Sequence, residues 1–107
     1  MGGTVNDDNK LKTLHLLQRT VGLTANQRLV VMLYACHPAD RSGAVLETAV
    51  ELAKLVGLSP TVFSRTRRQV IEAGWLEESE RLAHIRYYRL SSKATGENVV
   101  VQFRRAT

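Results

Sequence analysis

A single glycine between two helical patterns is the feature that most restricts how this chain can fold. Gly57 follows an apolar helical stretch at about 46–56, and Ser59 and Pro60 open a second stretch immediately afterwards. Glycine accepts the positive φ that a tight turn requires, serine is a preferred N-cap, and proline is tolerated at the first helical position. Two helices joined by so short a turn predict a helix-turn-helix at about 46–74.

The same two stretches carry the packing residues that a helix-turn-helix needs. Ala53 is small at the point where the second helix is expected to cross the first, and Phe63 is placed to point back into the angle between them. Val70 and Ala73 continue the inward face of the second helix, which we predict at about 60–73. An ordinary helical hairpin in a small mixed domain is the alternative interpretation of this pattern.

Two further helices are predicted ahead of this pair. Leucines that recur at roughly one turn indicate a short helix at about 9–19, after a polar, glycine-rich stretch at 1–8 that we expect to be a flexible tail. Thr24 and Gln27 then form a capping-box pattern, in which each side chain accepts a hydrogen bond from the backbone of the other residue. The helix that follows should end at about Cys36, and we expect its apolar face to bury that thiol.

The pattern changes from helix to strand after Gly74. β-Branched and aromatic residues at 85–90 predict one strand, a second strand is expected directly after the glycine, and residues 80–83 are the predicted turn between them. A further strand is predicted at about 98–103. A strand pair directly after a helix-turn-helix is winged-helix order. We therefore predict a mainly α fold with a small β-hairpin wing at about 75–91, an α+β winged helix-turn-helix.

The composition fits one small globular domain, which we place at 9–107. Apolar residues make up 44% and charged residues 23% of the 107 residues, as is typical of folded domains. Lysine and arginine number 15 against 10 acidic residues, a formal charge of +5, and a small basic domain favours an anionic partner, with nucleic acid first. The chain has one cysteine, no long apolar run and no signal-peptide pattern, so we expect a cytoplasmic protein that does not span a membrane.

Four segments together resemble the bacterial winged helix-turn-helix superfamily. They are ELAKLVGLS at 51–59 with the helix that follows it, VIEAGWL at 70–76, TANQRLVV at 24–31, and YRL at 88–90. The third segment is similar to the first helix of that fold in MarR-like regulators and in plasmid or phage replication-initiator domains, and the last is similar to the second wing strand. The resemblance covers about 24–91 and implies a winged helix that binds DNA.

The second helix of the pair is then the expected recognition helix, whose N-terminal part enters the major groove. Turning its apolar residues inward leaves four side chains that we expect to contact DNA: Thr61, Ser64, Arg65 and Arg68. Ser59 and the amides at the helix start favour a phosphate. Arg67 departs from the family pattern, because such helices often carry an apolar residue there: either its stem packs and its head extends to solvent, or this helix lies slightly differently. Arg67 is also a candidate for contact with DNA. A solvated basic face is the alternative interpretation of this charge run.

The predicted wing adds three candidates for contact with phosphate or the minor groove: Arg81, His84 and Arg86. Three acidic residues lie beside them in sequence, so the wing is close to neutral: Glu77, Glu78 and Glu80. We interpret His84 first as an exposed turn residue and second as a DNA contact.

The helix at about 9–19 raises the question of a protein partner. Its leucines recur on one side of the helix: Leu11, Leu14 and Leu17. Such a helix can cap the core of its own domain, or it can pair with the same helix of a second copy. Pairing would place two recognition helices on one face of the DNA, so we expect a homodimer, formed through this helix or through the strand at about 98–103.

Nothing in the sequence argues for an enzyme. There is no glycine-rich phosphate loop, no paired carboxylates, and no metal-ligand spacing among the three histidines and one cysteine, so we expect no cofactor, metal or small-molecule ligand. We predict a sequence-dependent double-stranded DNA-binding protein that acts as a transcriptional regulator. One alternative is a plasmid or phage replication or partition protein, which would use the same surface. Another is a winged helix used as a protein-interaction module.

Overall fold

The computed structural model describes residues 3–82 and 85–95, with side chains at 10–79 and 85–95. Four helices come first along the chain: α1 Gly3–Arg19, α2 Ala25–Cys36, α3 Ala49–Val56 and α4 Pro60–Glu72. An antiparallel hairpin and a short helix follow: β1 Leu76–Leu82, β2 Ile85–Leu90 and α5 Ser92–Thr95. This order confirms the predicted fold class, a mainly α fold with a β-hairpin after the helix-turn-helix, in a winged-helix layout.

Side-chain caps start the helices at the residues that the sequence predicts. At α2 the Thr24 hydroxyl accepts from the Gln27 amide at 3.2 Å, and the Gln27 side chain accepts from the Thr24 amide at 3.0 Å, which confirms the capping box. At α4 the Ser59 hydroxyl accepts from the Val62 amide at 3.1 Å, and Pro60 occupies the first helical turn. Each such cap stabilises its helix by about 1 kcal/mol.

The turn between α3 and α4 is made by the predicted glycine. Gly57 has a φ of 72°, in the left-handed region that residues with a side chain rarely adopt. Its amide donates to the Lys54 carbonyl at 3.2 Å, and the Leu58 amide donates to the Ala53 carbonyl at 3.0 Å, so the last turn of α3 is closed before α4 begins. Ala53 is buried, as the crossing of the two helices requires.

Helix α4 packs against α2 and α3 through a buried stripe of Phe63, Thr66 and Val70. The inward positions of Phe63 and Val70 are thus confirmed, but Ala73 is exposed, contrary to the prediction. Ala73 is the C-cap of α4, and Gly74, with a φ of 90°, turns the chain at that point. The core is completed by buried apolar residues from the other elements: Leu16, Val30, Val31, Tyr34, Val45, Leu52, Trp75, Leu76 and Ala94.

Helix α1 is longer than the sequence predicts, because it begins at Gly3 rather than near Asn9. Residues 4–8 contain neither proline nor glycine, so nothing in the stretch interrupts a helix that extends towards the N-terminus. The flexibility of residues 1–8 stays a prediction. Among the side chains described at 10–19, Leu16 is the buried apolar residue through which α1 joins the core.

Helix α3 is shorter than predicted, because it begins at Ala49 instead of near residue 46. Thr48 is its N-cap, with an extended backbone and a hydroxyl that accepts from the Glu51 amide at 3.3 Å. Just before it, Val45 forms an antiparallel bridge with the second wing strand, and its amide donates to the Tyr88 carbonyl at 3.1 Å. This long-range bridge holds the chain extended where helical periodicity alone predicts a helix.

The hairpin is longer than predicted. Its pairing continues to Leu82, opposite Ile85, so the prediction of a turn at 80–83 is wrong for residues 80–82, which belong to β1. The register shifts at Ser79, where β1 carries one residue more than β2. Such a bulge bends and twists a strand without ending its pairing, and no local sequence signal marks it.

Two predicted features lie outside the described residues, namely the side chain of His84 and the strand at about 98–103. Within residues 3–82 and 85–95, none of the helices combines the length and apolar character needed to cross a bilayer. The described side chains also include no group of histidine, cysteine, aspartate and glutamate arranged to hold a metal ion.

Candidate nucleic-acid interface

Helix α4 presents one exposed row, which we call the α4 row. It consists of residues spaced as i, i+3, i+4 and i+7, all of them exposed: Thr61, Ser64, Arg65 and Arg68. The predicted exposure of these four side chains is confirmed, because the buried stripe through Phe63 occupies another side of the helix. A rise of 1.5 Å per residue makes the row roughly 10 Å long, about the length of three stacked base pairs.

The two arginines of the α4 row keep their donor groups unused within the protein. Neither Arg65 nor Arg68 has a hydrogen-bond or ion-pair partner among the described residues. On α3, by contrast, Lys54 lies 3.5 Å from the carboxylate of Glu51. A guanidinium offers five N–H donors in a planar fork that matches guanine O6 and N7, or a phosphate. The row therefore offers two such forks on adjacent turns of one helix.

Two hydrogen bonds hold α4 at either end of this row. The Ser59 hydroxyl accepts from the Val62 amide, so the predicted phosphate ligand Ser59 has its oxygen engaged within its own helix. Near the other end, the Gln69 side chain accepts from the Gln27 side chain at 3.0 Å, which ties α4 to the first turn of α2. The row is thus displayed on a helix whose position is fixed by its cap, its buried stripe and a contact with α2.

Arg67 lies on a different side of α4 from the row. It is half-buried, its Nη1 donates to the Tyr34 hydroxyl at 3.2 Å, and its guanidinium carbon lies 4.8 Å from the centre of the Tyr88 ring and 5.5 Å from that of Phe63. The stem of Arg67 packs as predicted, but its guanidinium also packs inside the domain instead of extending to solvent. Its contact with DNA stays a prediction. Burial raises the pKa of the Tyr34 hydroxyl, and the neighbouring guanidinium of Arg67 opposes that rise.

The wing places two of its predicted candidates opposite each other. Arg86 is exposed, and Arg81 is its partner position in the ladder between β1 and β2. The side chain of Arg81 lies outside the described residues, so its contact with phosphate stays a prediction. Lower on the hairpin, Glu77 accepts from Arg89 at 2.8 Å, which neutralises one of the acidic residues. This ion pair cancels one acidic and one basic charge, so it leaves the net charge of the wing unchanged.

A loop at 40–44 holds the lower part of the wing. The Asp40 carboxylate accepts from the amides of Ser42 and Ala44 at 2.9 Å each, and from the Ser42 hydroxyl at 2.7 Å. The hydrogen bond from that hydroxyl, with smaller contributions from the backbone amides, lowers the pKa of the Asp40 carboxyl. Arg89 then donates to the Ser42 carbonyl at 3.1 Å, so the loop and β2 are joined.

A second uncovered surface lies on α1 and the turn that follows it, and it is apolar. Four residues spaced by three, three and four positions are 50%, 48%, 38% and 70% exposed: Leu11, Leu14, Leu17 and Val21. We call them the α1 stripe. Leu14 and Leu17 of this stripe also line an open groove of about 1110 Å³, which is formed by α1, the end of α2, Leu90 and α5. Exposed apolar patches on soluble domains commonly mark a surface that contacts another protein.

Cys36 lies in this groove and is exposed, so its predicted burial is wrong. Tyr34 is the buried residue nearest to it on α2. Two helical positions correspond to a rotation of about 200°, which carries Cys36 to the opposite side of the helix from Tyr34. An apolar residue type at the end of a helix was not sufficient to predict its burial.

The aromatic partners of Arg67 are what the sequence reasoning missed. Arg67 follows Phe63 by four residues, which places it about 40° from Phe63 around the helix axis and so on the inward side. That signal was present in the sequence. The rings of Tyr34 and Tyr88 belong to α2 and β2, far along the chain in both directions, and no local pattern connects them to α4.

Comparisons with known proteins bear on the fold. No family model and no curated protein matches this chain. Among solved structures, its fold is similar to that of RV1404 from Mycobacterium tuberculosis, with a TM-score of 0.58, 16% sequence identity, and coverage of 96% of this chain and 68% of that one. At this identity the likeness shows a shared fold alone, so any function is argued from the residues of this chain.

Proposed function

We propose that this chain is a sequence-dependent double-stranded DNA-binding protein, a transcriptional regulator related to the MarR-like winged helix-turn-helix proteins that its sequence resembles. The observation that carries the proposal is the α4 row, in which Arg65 and Arg68 have no partner among the described residues. An α-helix about 10–12 Å wide fits a major groove about 12 Å wide. In this proposal α4 lies in the major groove with its N-terminal half nearest the bases.

The residues of the α4 row take different parts in this binding. Arg65 and Arg68 donate to guanine edges or to phosphates, since their forks match both. Thr61 and Ser64 are short, which allows the backbone of α4 to approach the DNA closely. Arg86 extends the contact to the phosphates beside the groove, together with the position of Arg81 opposite it. The formal charge of +5 attracts the polyanion over a longer range.

The partner that we propose for the α1 stripe is a second copy of the chain. A homodimer would bury leucines that are otherwise about half exposed and would present two copies of α4 to one face of a duplex. Two-fold symmetric regulators of this kind read half-sites about 34–36 Å apart, one helical turn of DNA. Such a protein acts in the cytoplasm, on the nucleoid.

The test of the DNA-binding proposal is selection of bound duplexes from a random pool, followed by titration of the selected duplex at several salt concentrations. We expect an enriched motif, with an affinity that falls steeply as salt rises, because each phosphate contact releases counterions. The matched control is the Arg65→Ala, Arg68→Ala double variant, which should enrich no motif while melting like the wild type. Equal enrichment of the same motif by both proteins would show that Arg65 and Arg68 are not part of the DNA-binding surface.

The form of the motif separates the alternatives to a regulator. A palindrome of two half-sites supports a dimeric regulator, whereas tandem direct repeats would favour a replication or partition protein. Salt-dependent binding without an enriched motif would contradict sequence-dependent recognition. No binding to any duplex would overturn the proposal and favour a winged helix that binds another protein.

A further inference from the structure

Arg67 joins three elements of the domain through one side chain. Its own helix is α4; its Nη1 donates to the hydroxyl of Tyr34 on α2; and its guanidinium carbon lies 4.8 Å from the ring centre of Tyr88 on β2. The same guanidinium carbon lies 5.5 Å from the ring centre of Phe63, one turn earlier on α4. The guanidinium therefore links the helix that carries the α4 row directly to the wing.

The surroundings of Arg67 suit a planar guanidinium and no other cation. Among the described residues no carboxylate pairs with it, so its charge is stabilised by the two aromatic rings and the phenol. A guanidinium is planar, so it stacks on a ring and at the same time donates hydrogen bonds in its own plane. A lysine ammonium is a compact point charge and cannot combine the two contacts in this way. This position therefore calls for arginine specifically, beyond its positive charge.

The wing is also held by the loop at 40–44, where the hydroxyls of Ser42 and Ser79 lie 3.0 Å apart, and by contacts at the base of the hairpin. The Ser91 hydroxyl donates to the Gly74 carbonyl, and Lys93 donates to the Ala73 carbonyl at 2.9 Å. Tyr88 lies about halfway along β2, two residues from Leu90 at the base and three from Ile85 at the far end. A hairpin held at its base and along one side can still tilt relative to α4, and a contact from α4 halfway along it limits that tilt. Arg67 contacts Tyr88 from α4, while the bridge from Val45 holds the same residue through its backbone.

We propose that Arg67 is a positioning residue that fixes the tilt of the wing relative to α4, so that the α4 row and Arg86 engage the same duplex together. The DNA-binding part of this inference rests on the proposed function, whereas the fixed tilt is a property of the protein alone. Arg67 acts through Tyr88 and Tyr34 and does not itself touch DNA.

The first experiment measures the tilt without DNA. Spin labels are attached to Glu72→Cys at the end of α4 and Ile85→Cys on the wing, in a Cys36→Ser background, and the distribution of distances between them is recorded by pulsed electron resonance. Both label positions are exposed. We expect a narrow distribution with Arg67 and broad ones with Arg67→Lys and Arg67→Met. Arg68→Met, on the same helix, is the matched control and should keep the narrow distribution.

Two further measurements guard against simple unfolding. Each variant is melted, and only variants that unfold cooperatively enter the comparison. Tyr34→Phe is the mildest variant, because it removes the hydroxyl that accepts from Arg67 and keeps the ring; it should broaden the distribution less than Arg67→Met does. Equally narrow distributions for wild type, Arg67→Lys and Arg67→Met would overturn the proposal.

The second experiment uses the selected duplex and a double-mutant cycle with Arg86→Ala. We expect Arg67→Met and Arg67→Lys each to weaken binding about tenfold, the size of one lost coupling contact. Arg86→Ala should weaken binding in the wild type and weaken it far less in the Arg67→Met background, because an unfixed wing has already lost its contact. Full binding by Arg67→Lys, with independent effects of Arg67→Met and Arg86→Ala, would mean that Arg67 supplies charge to the DNA and would overturn the proposal.

The two experiments separate the failure of this inference from the failure of the proposed function. If no duplex is bound but the distance distribution broadens in the Arg67 variants, the proposal that Arg67 fixes the wing is supported and the proposal of DNA binding is contradicted. If a duplex is bound through the α4 row and the distributions stay equally narrow, the proposal of DNA binding is supported and the positioning role of Arg67 is contradicted.

Discussion

Helices α1 and α4 each leave one side uncovered, and the two uncovered sides are chemically opposite. The α4 row carries hydroxyls and two arginines, whereas the α1 stripe carries three leucines and a valine that are 38–70% exposed. Both helices are also fixed to the core, α4 through Phe63 and α1 through Leu16. Two helices that each have one uncovered side thus present two chemically different surfaces.

The difference indicates two different kinds of partner. Exposed arginines are well solvated, so the α4 row is stable without a ligand and gains from meeting an anion. Exposed leucines gain by leaving water, at about 25 cal/mol for each Å² of apolar surface buried. The α4 row therefore suits a polyanion such as DNA, and the α1 stripe suits another apolar protein surface, for which a second copy of the chain is our proposal.

The largest expected effect comes from removing the residue that holds α4 in place. Phe63→Ala should lower the free energy of unfolding by about 3–5 kcal/mol, because it leaves a cavity under the helix. Thermal and urea unfolding measure this loss. Leu55→Ala is the matched control, since Leu55 is 62% exposed on α3 and its loss should change stability by less than about 0.5 kcal/mol. A Phe63→Ala variant as stable as the control would show that α4 is not held by this ring.

The next effect concerns the α1 stripe. Leu11→Glu combined with Leu14→Glu should raise the dimer dissociation constant by about 100-fold, roughly 3 kcal/mol, because burying a single leucine is worth about 1.5–3 kcal/mol. Sedimentation equilibrium measures the dissociation constant. Leu55→Glu adds a charge at an exposed leucine outside the stripe and should leave the dimer intact. A wild-type chain that is monomeric at high concentration would contradict the proposed use of this stripe.

The α4 row is tested by single substitutions. Arg65→Ala and Arg68→Ala should each weaken binding to the selected duplex by about 1–3 kcal/mol if the side chain reads a base, and should reduce the salt dependence if it contacts a phosphate. Neither should change the melting temperature, since both side chains are exposed and without partners among the described residues. Lys10→Ala, an exposed cation on α1, is the matched control for charge. Equal affinity of all three variants would contradict the assignment of the row.

The smallest effect is a pH dependence that involves neither surface, because leucine and arginine do not titrate in acid. The pKa of Asp40 is lowered from its ordinary value of 3.8, so its contribution to stability is present above that value and is lost as the pH falls through the folded-state pKa. Asp40→Asn, which keeps an acceptor but no charge, should be slightly less stable at pH 7 and equal to the wild type in strong acid. A gap that persists at pH 2 would contradict this origin of the pH dependence.

Local chemistry made much of the fold predictable. The capping box at Thr24 and Gln27, the cap at Ser59 and the left-handed Gly57 all depend on residues within four positions of one another. The exposure of the α4 row followed from the same kind of information, since burying Phe63 on a helix of 3.6 residues per turn determines which residues face away.

Contacts between distant parts of the chain were not predictable in this way. The bridge from Val45 to Tyr88 shortened α3, and the register shift at Ser79 lengthened the hairpin. The position of Arg67 depends on rings from α2 and β2 that helical periodicity does not reveal. These partners of Val45 and Arg67 lie more than ten residues away, and those of the residues beside Ser79 lie on the opposite strand, so packing in three dimensions sets their identity.

The most direct test of the central claim compares α4 with α1 in one measurement. Backbone amide signals of the isotope-labelled protein are followed by nuclear magnetic resonance while the selected duplex is added. We predict that the largest shifts fall at residues 59–68 and beside Arg86, while the amides at 10–19 in α1 change little. Shifts concentrated on α1, with the amides of α4 unchanged, would contradict the assignment of the α4 row as the surface that binds DNA.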